Sequence, residues 1–160
     1  ADIHEGGHRV PMLVRWPGHV PAGSTCDQVV CLVDWFATCR SLAGIEAEEL
    51  GGEDSVDLSP LLRGVLMLKP LRDATIHHSM DGMFAVRSGP WKLIEGRGSG
   101  GFTAPKRLEP GAGEPAGQLY NLAVDPGETT NLYAEHPEIV ATMQADLDRI
   151  RAADRSTATP

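Results

Sequence analysis

The chain lacks the features that mark several protein classes. Its 160 residues carry a formal net charge of -8, which argues against a general nucleic-acid surface. No stretch is apolar for long enough to span a bilayer, which argues against a membrane segment. The three cysteines are an odd number and cannot all pair within the chain. We therefore expect free, buried thiols in place of a disulfide framework.

The acidic balance also limits what the chain can bind. It provides no overall attraction for an anionic substrate, so any such attraction has to come from a local cluster of basic side chains. The length fits one ordinary domain or two small ones.

An apolar segment near the start predicts a buried strand. Residues 10–16 are mostly apolar without alternation, which is typical of a strand covered on both faces in a parallel sheet. Gly6 and Gly7 are expected to supply positive φ angles before the strand, and Pro17-Gly18 ends it. Residues 26–33 predict a second short strand. Asp34 is the expected N-cap of a helix over 35–43.

The second half of the chain predicts an antiparallel sheet followed by a helix. The expected strands are 74–78, 83–87, 91–95 and 118–122, with Gly89-Pro90 in a type II′ hairpin turn. Alternation along the second and third strands predicts one buried face. A helix is expected over 137–152, because apolar residues recur there at helical spacing; they are Ile139, Val140, Met143, Leu147 and Ile150.

Four motifs carry a resemblance to a known family. The first is E-G-G-x-R-x-P, formed by Glu5, Gly6, Gly7, Arg9 and Pro11. It is followed by D-L-S-P-L-L-R-G at 57–64, F-A-V-R with W-K-L-I within 84–94, and L-Y-N-L-x-x-D-P-x-E-x-x-N-L at 119–132. In this order they resemble the late part of an arylsulfatase-type sulfatase of the alkaline-phosphatase-like superfamily.

The resemblance implies an α/β fragment followed by an α+β subdomain. Residues 1–45 would be the end of the catalytic α/β domain, with the last strand or strands and a helix of its large sheet. Residues 46–70 would be a connector, partly a solvated acidic loop. Residues 71–160 would form the C-terminal subdomain, a small four-stranded antiparallel sheet packed by the C-terminal helix.

The resemblance also implies what this chain lacks. Sulfatases use a formylglycine made from Cys or Ser in C/S-x-P/A-x-R, and a calcium-like divalent cation held by Asp and Asn side chains. None of Cys26, Cys31 or Cys39 begins that motif. The family's metal ligands lie upstream of E-G-G, and its sulfate-binding Lys corresponds to the position just before Ala1. We therefore expect no catalytic residue, no metal ligand and no cofactor in this chain, which alone should be inactive.

On this reading the parent protein is a sulfuric ester hydrolase. The implied partners are the upstream N-terminal catalytic region and a sulfated small molecule or polysaccharide, with neither nucleic acid nor membrane. A periplasmic or secreted location would be typical of bacterial relatives. Two alternatives stay open: an autonomous substrate-recognition or interaction module, and part of a related phosphonate or phosphodiester hydrolase.

Two further patterns involve histidines. His4, Glu5 and His8 fit H-E-x-x-H, but that zinc chemistry needs a helix, which adjacent glycines disfavour, so we expect no zinc site. His77 and His78 are candidate substrate-binding residues at a strand end. Because adjacent strand residues point to opposite faces, we expect only one to face a ligand, and favour His78 because it lies nearer the turn.

Overall fold

The computed structural model describes residues 1–45 and 51–157, which form two compact units. The first, here called the sheet unit, comprises Ala1–Val10 and Ile76–Ala152; the second, the helical unit, comprises Pro11–Thr75 and Ala153–Pro160. Residues 1–10 thus pack with the sheet, although they precede it by more than sixty positions along the chain. Glu46, Glu48 and Glu49 of the predicted acidic loop lie outside the described residues. The predicted domain boundaries at 45 and 70 stay predictions.

The sheet has four strands in the order β1-β2-β3-β4. Their bounds are β1 Thr75–His78, β2 Phe84–Ser88, β3 Trp91–Ile94 and β4 Gln118–Asn121. β2 and β3 pair antiparallel, as do β3 and β4. Ser88 pairs with Trp91 and Gly89 has a φ of 53°, which fits the predicted two-residue II′ turn. The predicted four-stranded antiparallel sheet is therefore confirmed, with ends shifted by one residue.

A long helix covers one face of this sheet. Helix α4, Pro137–Ala153, buries Met143, Leu147 and Ile150, which confirms the predicted apolar stripe. At its C-terminal end Arg151 lies 4.4 Å from the ring centroid of Phe84 on β2 and pairs with Glu95.

The other face is buried as well, so the predicted single buried face is wrong. Ala85 and Val86 are adjacent on β2 and point to opposite faces, yet both are fully buried. Residues 1–8 cover the second face, and Ile3 is fully buried in a cluster whose other members are Met83, Ala85, Ile94 and Tyr120. Alternation along the strands could not reveal this cover, because it comes from a distant part of the chain.

The E-G-G motif forms helix α1, Glu5–His8, a single turn. Neither glycine is among the residues with positive φ, so the predicted role of Gly6 and Gly7 is wrong. Gly7 is instead needed for close packing, because an added Cβ would lie 2.3 Å from the carbonyl oxygen of Asp2. An added Cβ on Gly6 would meet no atom within 4 Å.

The helical unit holds helices α2, Asp34–Leu42, and α3, Ser59–Leu62. Asp34 is not the N-cap that the sequence predicts; it is the first helical residue and fully buried. Its carboxylate accepts hydrogen bonds from the N–H groups of Cys31, at 2.6 Å, and Val56, at 3.0 Å, and pairs with Arg72. Asp34 therefore ties the helix start to the segment that follows α2.

The strands predicted over 10–16 and 26–33 are not formed. Val10, Met12 and Leu13 are exposed, Leu13 by 96%. A strand of a parallel sheet needs neighbouring strands to complete its hydrogen bonds, and within the described residues these two segments find none. The cysteines are not buried as expected: Cys26 and Cys39 are exposed, and Cys31 is half-buried. Among the described residues, no helix has the length and hydropathy to cross a bilayer.

Candidate functional site

A buried charge cluster lies where residues 1–8 meet the sheet. Lys92 on β3 is fully buried, and its Nζ lies 3.2 Å from Oε1 of Glu5 and 2.8 Å from Oε1 of Glu128. Glu5 donates its backbone N–H to Oε2 of Glu128 at 2.6 Å. Arg87 on β2 reaches Oε2 of Glu5 at 3.3 Å. Two carboxylates thus face two permanent cations, which is the pairing that buried charges require.

Three separate motifs of the sequence meet in this cluster. Glu5 comes from E-G-G, Lys92 from W-K-L-I, and Glu128 from D-P-x-E, where it adopts a φ of 54°. A residue other than glycine rarely adopts that angle. The cluster therefore holds a bent backbone in place at the point where the three segments converge.

The surroundings of Glu5 favour its ionised form. The hydrogen bond from His8 and the nearby charges of Lys92 and Arg87 outweigh the effect of burial and lower the pKa of Glu5 to about 2. Glu5 is therefore a carboxylate at neutral pH and acts as an acceptor.

The two candidate histidines lie on different faces of the sheet. His77 is half-buried beneath α1: its ring centroid is 3.9 Å from that of His8, and its Nε2 is 3.4 Å from the carbonyl oxygen of Ile3. His78 is exposed; its ring lies 5.6 Å from that of Phe84, on the face that α4 covers. The opposite orientation expected from strand geometry is present, and ligand binding by either residue stays a prediction.

Burial makes His77 a poor base. Burial itself and the neighbouring His8 and Lys92 lower the pKa of His77 to about 4. At neutral pH His77 is therefore uncharged and acts as a hydrogen-bond donor to the Ile3 carbonyl group.

His4 and His8 have different partners. His4 is the residue before α1, with extended backbone, and its Nε2 lies 3.4 Å from Oε1 of Gln118. His8 is hydrogen-bonded to Glu5, and its ring contacts that of His77. The expectation that glycines prevent a helix here is wrong, since α1 forms, but the turn is too short to include His4. Residues 1–45 and 51–157 contain no group of three or more His, Cys, Asp or Glu that could hold a metal. The divalent cation that the resemblance implies is expected upstream of this chain and stays a prediction.

The sequence did not reveal the role of Lys92. Alternation places Lys92 opposite Leu93 on β3, which predicts exposure to solvent. Instead Lys92 is the centre of the cluster. The available signal was that Glu5, Lys92 and Glu128 are charged residues within three separate motifs.

Comparison with known proteins gives the family. No protein-family model matches the chain. Arylsulfatase A of Bos taurus is 35% identical over 147 residues, which cover 84% of this chain and 28% of that protein. The N-acetylgalactosamine-6-O-sulfatase of Bacteroides thetaiotaomicron is 27% identical over 150 residues, which cover 94% of this chain and 29% of that protein. The chain is a region of a sulfatase-family protein.

A solved structure shows the same fold. One similar structure is that of a protein in complex with its substrate, D-glucosamine-2-N,6-O-disulfate. The matched region covers 86% of this chain and 27% of that protein, with a TM-score of 0.63 and 21% identity. The chain spans less than a third of the length of each of these relatives. The fold agrees with that expected for the C-terminal part of a sulfatase.

Proposed function

We propose that this chain is the C-terminal region of a sulfuric ester hydrolase, in which it completes the fold and borders the substrate cleft. The nucleophile, the divalent cation and the formylglycine belong to an upstream catalytic region of the same protein, which is the main partner of this chain. The substrate is a sulfated small molecule or polysaccharide. The similarity to the N-acetylgalactosamine-6-O-sulfatase of Bacteroides thetaiotaomicron favours a sulfated amino sugar within that class.

The observation that carries this proposal is the pairing within the Glu5–Lys92–Glu128 cluster. Each of the three charges has an oppositely charged partner within 3.2 Å, and the cluster joins three segments that are far apart in sequence. A general base or nucleophile has to be available to a substrate, whereas these groups are occupied with one another. The arrangement therefore favours a structural role, in which the cluster holds the E-G-G turn against the sheet, over a catalytic one.

The first experiment compares this chain with the product of its extended reading frame. The purified 160-residue chain and the longer protein are assayed with 4-nitrophenyl sulfate and 4-nitrophenyl phosphate. We expect the chain alone to give no turnover above a buffer blank, and the longer protein to prefer the sulfate ester. Turnover of the sulfate ester by the chain alone would refute the proposal.

The same comparison separates the two alternatives. A longer protein that prefers the phosphate ester is a related phosphodiester or phosphonate hydrolase. A reading frame without C/S-x-P/A-x-R favours a recognition module without catalysis. Both outcomes contradict the sulfatase proposal, and they do so in different ways.

We also propose that His78 contacts the substrate. It is exposed at the end of β1, whereas His77 is half-buried beneath α1. A histidine there can donate a hydrogen bond to a sulfate or sugar oxygen, most strongly when protonated.

The test replaces each histidine by Ala in the full-length enzyme and measures kcat/KM and Tm separately. We expect His78→Ala to lose activity at unchanged Tm, and His77→Ala to lose mainly stability. If neither variant changes kcat/KM by more than roughly threefold, the assignment of this site is wrong.

A further inference from the structure

The His8–His77 pair lies at the contact between residues 1–8 and the sheet. The ring centroids are 3.9 Å apart with planes inclined by 41°. Nε2 of His8 lies 3.2 Å from Oε1 of Glu5, and Nε2 of His77 lies 3.4 Å from the carbonyl oxygen of Ile3. Nδ1 of His8 is buried without a hydrogen-bond partner. Each ring thus holds one residue of the N-terminal segment through a single nitrogen.

The environment of the pair resists an additional positive charge. Two imidazolium rings in contact would repel each other, and the permanent cations on the same face are already close to Glu5. The carboxylates that could offset a new charge are bound to those cations. The charged and titratable groups here are His4 before α1, Glu5 and His8 on α1, His77 on β1, Arg87 on β2, Lys92 on β3, Tyr120 on β4 and Glu128 in the turn after β4.

We propose that the His8–His77 pair is a pH-sensitive contact, which in mild acid transiently releases residues 3–8 from the sheet while β2, β3 and β4 stay paired. Protonation of His77 places a charge in a buried site beside His8 and Lys92, and this cost exceeds the gain from a stronger hydrogen bond to the Ile3 carbonyl. Opening also breaks the hydrogen bond from Ile3 N–H to the Ser99 carbonyl, at 2.8 Å, together with the links of Glu5 to the sheet and the burial of Ile3. Mild acid therefore shifts the balance towards a transiently open state and does not detach the segment fully. This proposal does not depend on the sulfatase function.

The direction of the pH effect follows from linkage. Burial and the nearby positive groups lower the pKa of His77 to about 4 in the closed state, whereas an exposed histidine titrates near 6.5. The open state therefore binds the proton more readily, and opening is favoured as the pH falls from about 6.5 towards 4. The pKa of Glu5 is about 2, so Glu5 stays ionised across most of this range and is not the cause.

The experiment measures amide hydrogen exchange by NMR at about pH 7.5 and about pH 5, corrected for intrinsic exchange rates. The informative amides are Ile3 and Glu5, whose bonds cross from the segment to Ser99 and Glu128. We expect their protection to fall by roughly tenfold or more in mild acid. Amides within β2 and β3 should lose less than roughly threefold.

Two variants isolate the pair. His77→Gln keeps an N–H group for the Ile3 carbonyl but does not titrate, so it should remove most of the pH dependence. His136→Gln is the matched control, because His136 contacts Trp91 and lies away from this pair; it should behave like the wild type. The proposal is overturned if His77→Gln keeps the full pH dependence, or if the control loses it.

A second measurement needs no variant. The ring proton shifts of His77 in the wild-type chain should titrate well below the value of an exposed histidine. If His77 titrates near 6.5, or if the protection of Ile3 and Glu5 does not change with pH, the pair is an ordinary packing contact and the proposal fails.

Discussion

The two units of this chain differ in how far they bury their apolar side chains. In the sheet unit, residues such as Val86, Leu93 and Leu147 are fully or almost fully buried. In the described part of the helical unit, Leu13, Leu66 and Leu68 are each at least 95% exposed. Leu58 and Ala37 are the buried apolar residues there, and buried polar groups such as Asp34 and Thr38 provide much of the cohesion.

This difference indicates which region can fold by itself. Burial of apolar surface is the main stabilising contribution in folding, and the sheet unit closes its core with residues of this chain. The helical unit exposes a run of apolar residues at 65–68 and the pair Met12 and Leu13. Exposed apolar surface of this kind is typical of regions that pack against another part of a larger protein.

The largest effect should come from removing the buried cation. Lys92→Met would leave Glu5 and Glu128 close together and without that cation, so we expect a loss of about 3 to 5 kcal/mol in the free energy of unfolding. Urea denaturation of wild type and variant measures this. Lys106→Met, at an exposed lysine between β3 and β4, is the control and should change stability by less than about 0.5 kcal/mol. A loss below about 1 kcal/mol for Lys92→Met would contradict the structural role of the cluster.

A matched pair of leucines compares the units directly. Leu147→Ala truncates a fully buried side chain on the inner face of α4. It should lower the free energy of unfolding by about 3 kcal/mol. Leu66→Ala changes a side chain that is 95% exposed and should stay within about 0.5 kcal/mol. Denaturant midpoints provide both values, and equal losses in the two variants would mean that the contrast between the units is not real.

The regular elements of the sheet unit could be predicted because their signals are local. Alternation located β2 and β3 within one residue, and helical spacing located α4. The predicted strand at 10–16 was wrong because an apolar run specifies burial but cannot supply the neighbouring strands. The N-cap role of Asp34 was wrong because Arg72 and Val56 bind its carboxylate across a long separation in sequence.

Strong acid should destabilise the sheet unit through Glu5. Its pKa is lowered to about 2, below its ordinary value of 4.5, so its contribution is present above pH 4.5 and is lost as the pH falls towards 2. We expect a loss of about 3 kcal/mol in the free energy of unfolding over this range, since one pKa unit corresponds to about 1.4 kcal/mol. Glu5→Gln should flatten this part of the pH profile, measured by thermal melts in a pH series. An unchanged slope would show that Glu5 is not held by the cluster.

A smaller effect should distinguish the two glycines of α1. Gly7→Ala forces a Cβ against the Asp2 backbone and should cost about 1 to 2 kcal/mol. Gly6→Ala has open space and should be neutral or slightly stabilising in a helical turn. Thermal melts of the two variants give the comparison, and a Gly6→Ala variant that is as unstable as Gly7→Ala would contradict the packing described here.

The candidate site was less predictable than the fold. Strand geometry correctly separated His77 and His78, but it could not show that residues 1–8 cover the face on which His77 lies. For the same reason Lys92 was expected to be solvated. Burial of a polar residue depends on contacts between distant segments, and alternation within one strand contains no information about them.

The most direct test of the difference between the units is amide hydrogen exchange in the wild-type chain, at neutral pH and in dilute monomeric solution. Residues 84–94 should be strongly protected, because their hydrogen bonds lie in a sheet buried on both faces. Residues 10–16 should exchange much faster, because they form no strand and expose Met12 and Leu13. Equally strong protection of both segments in a confirmed monomer would contradict this account.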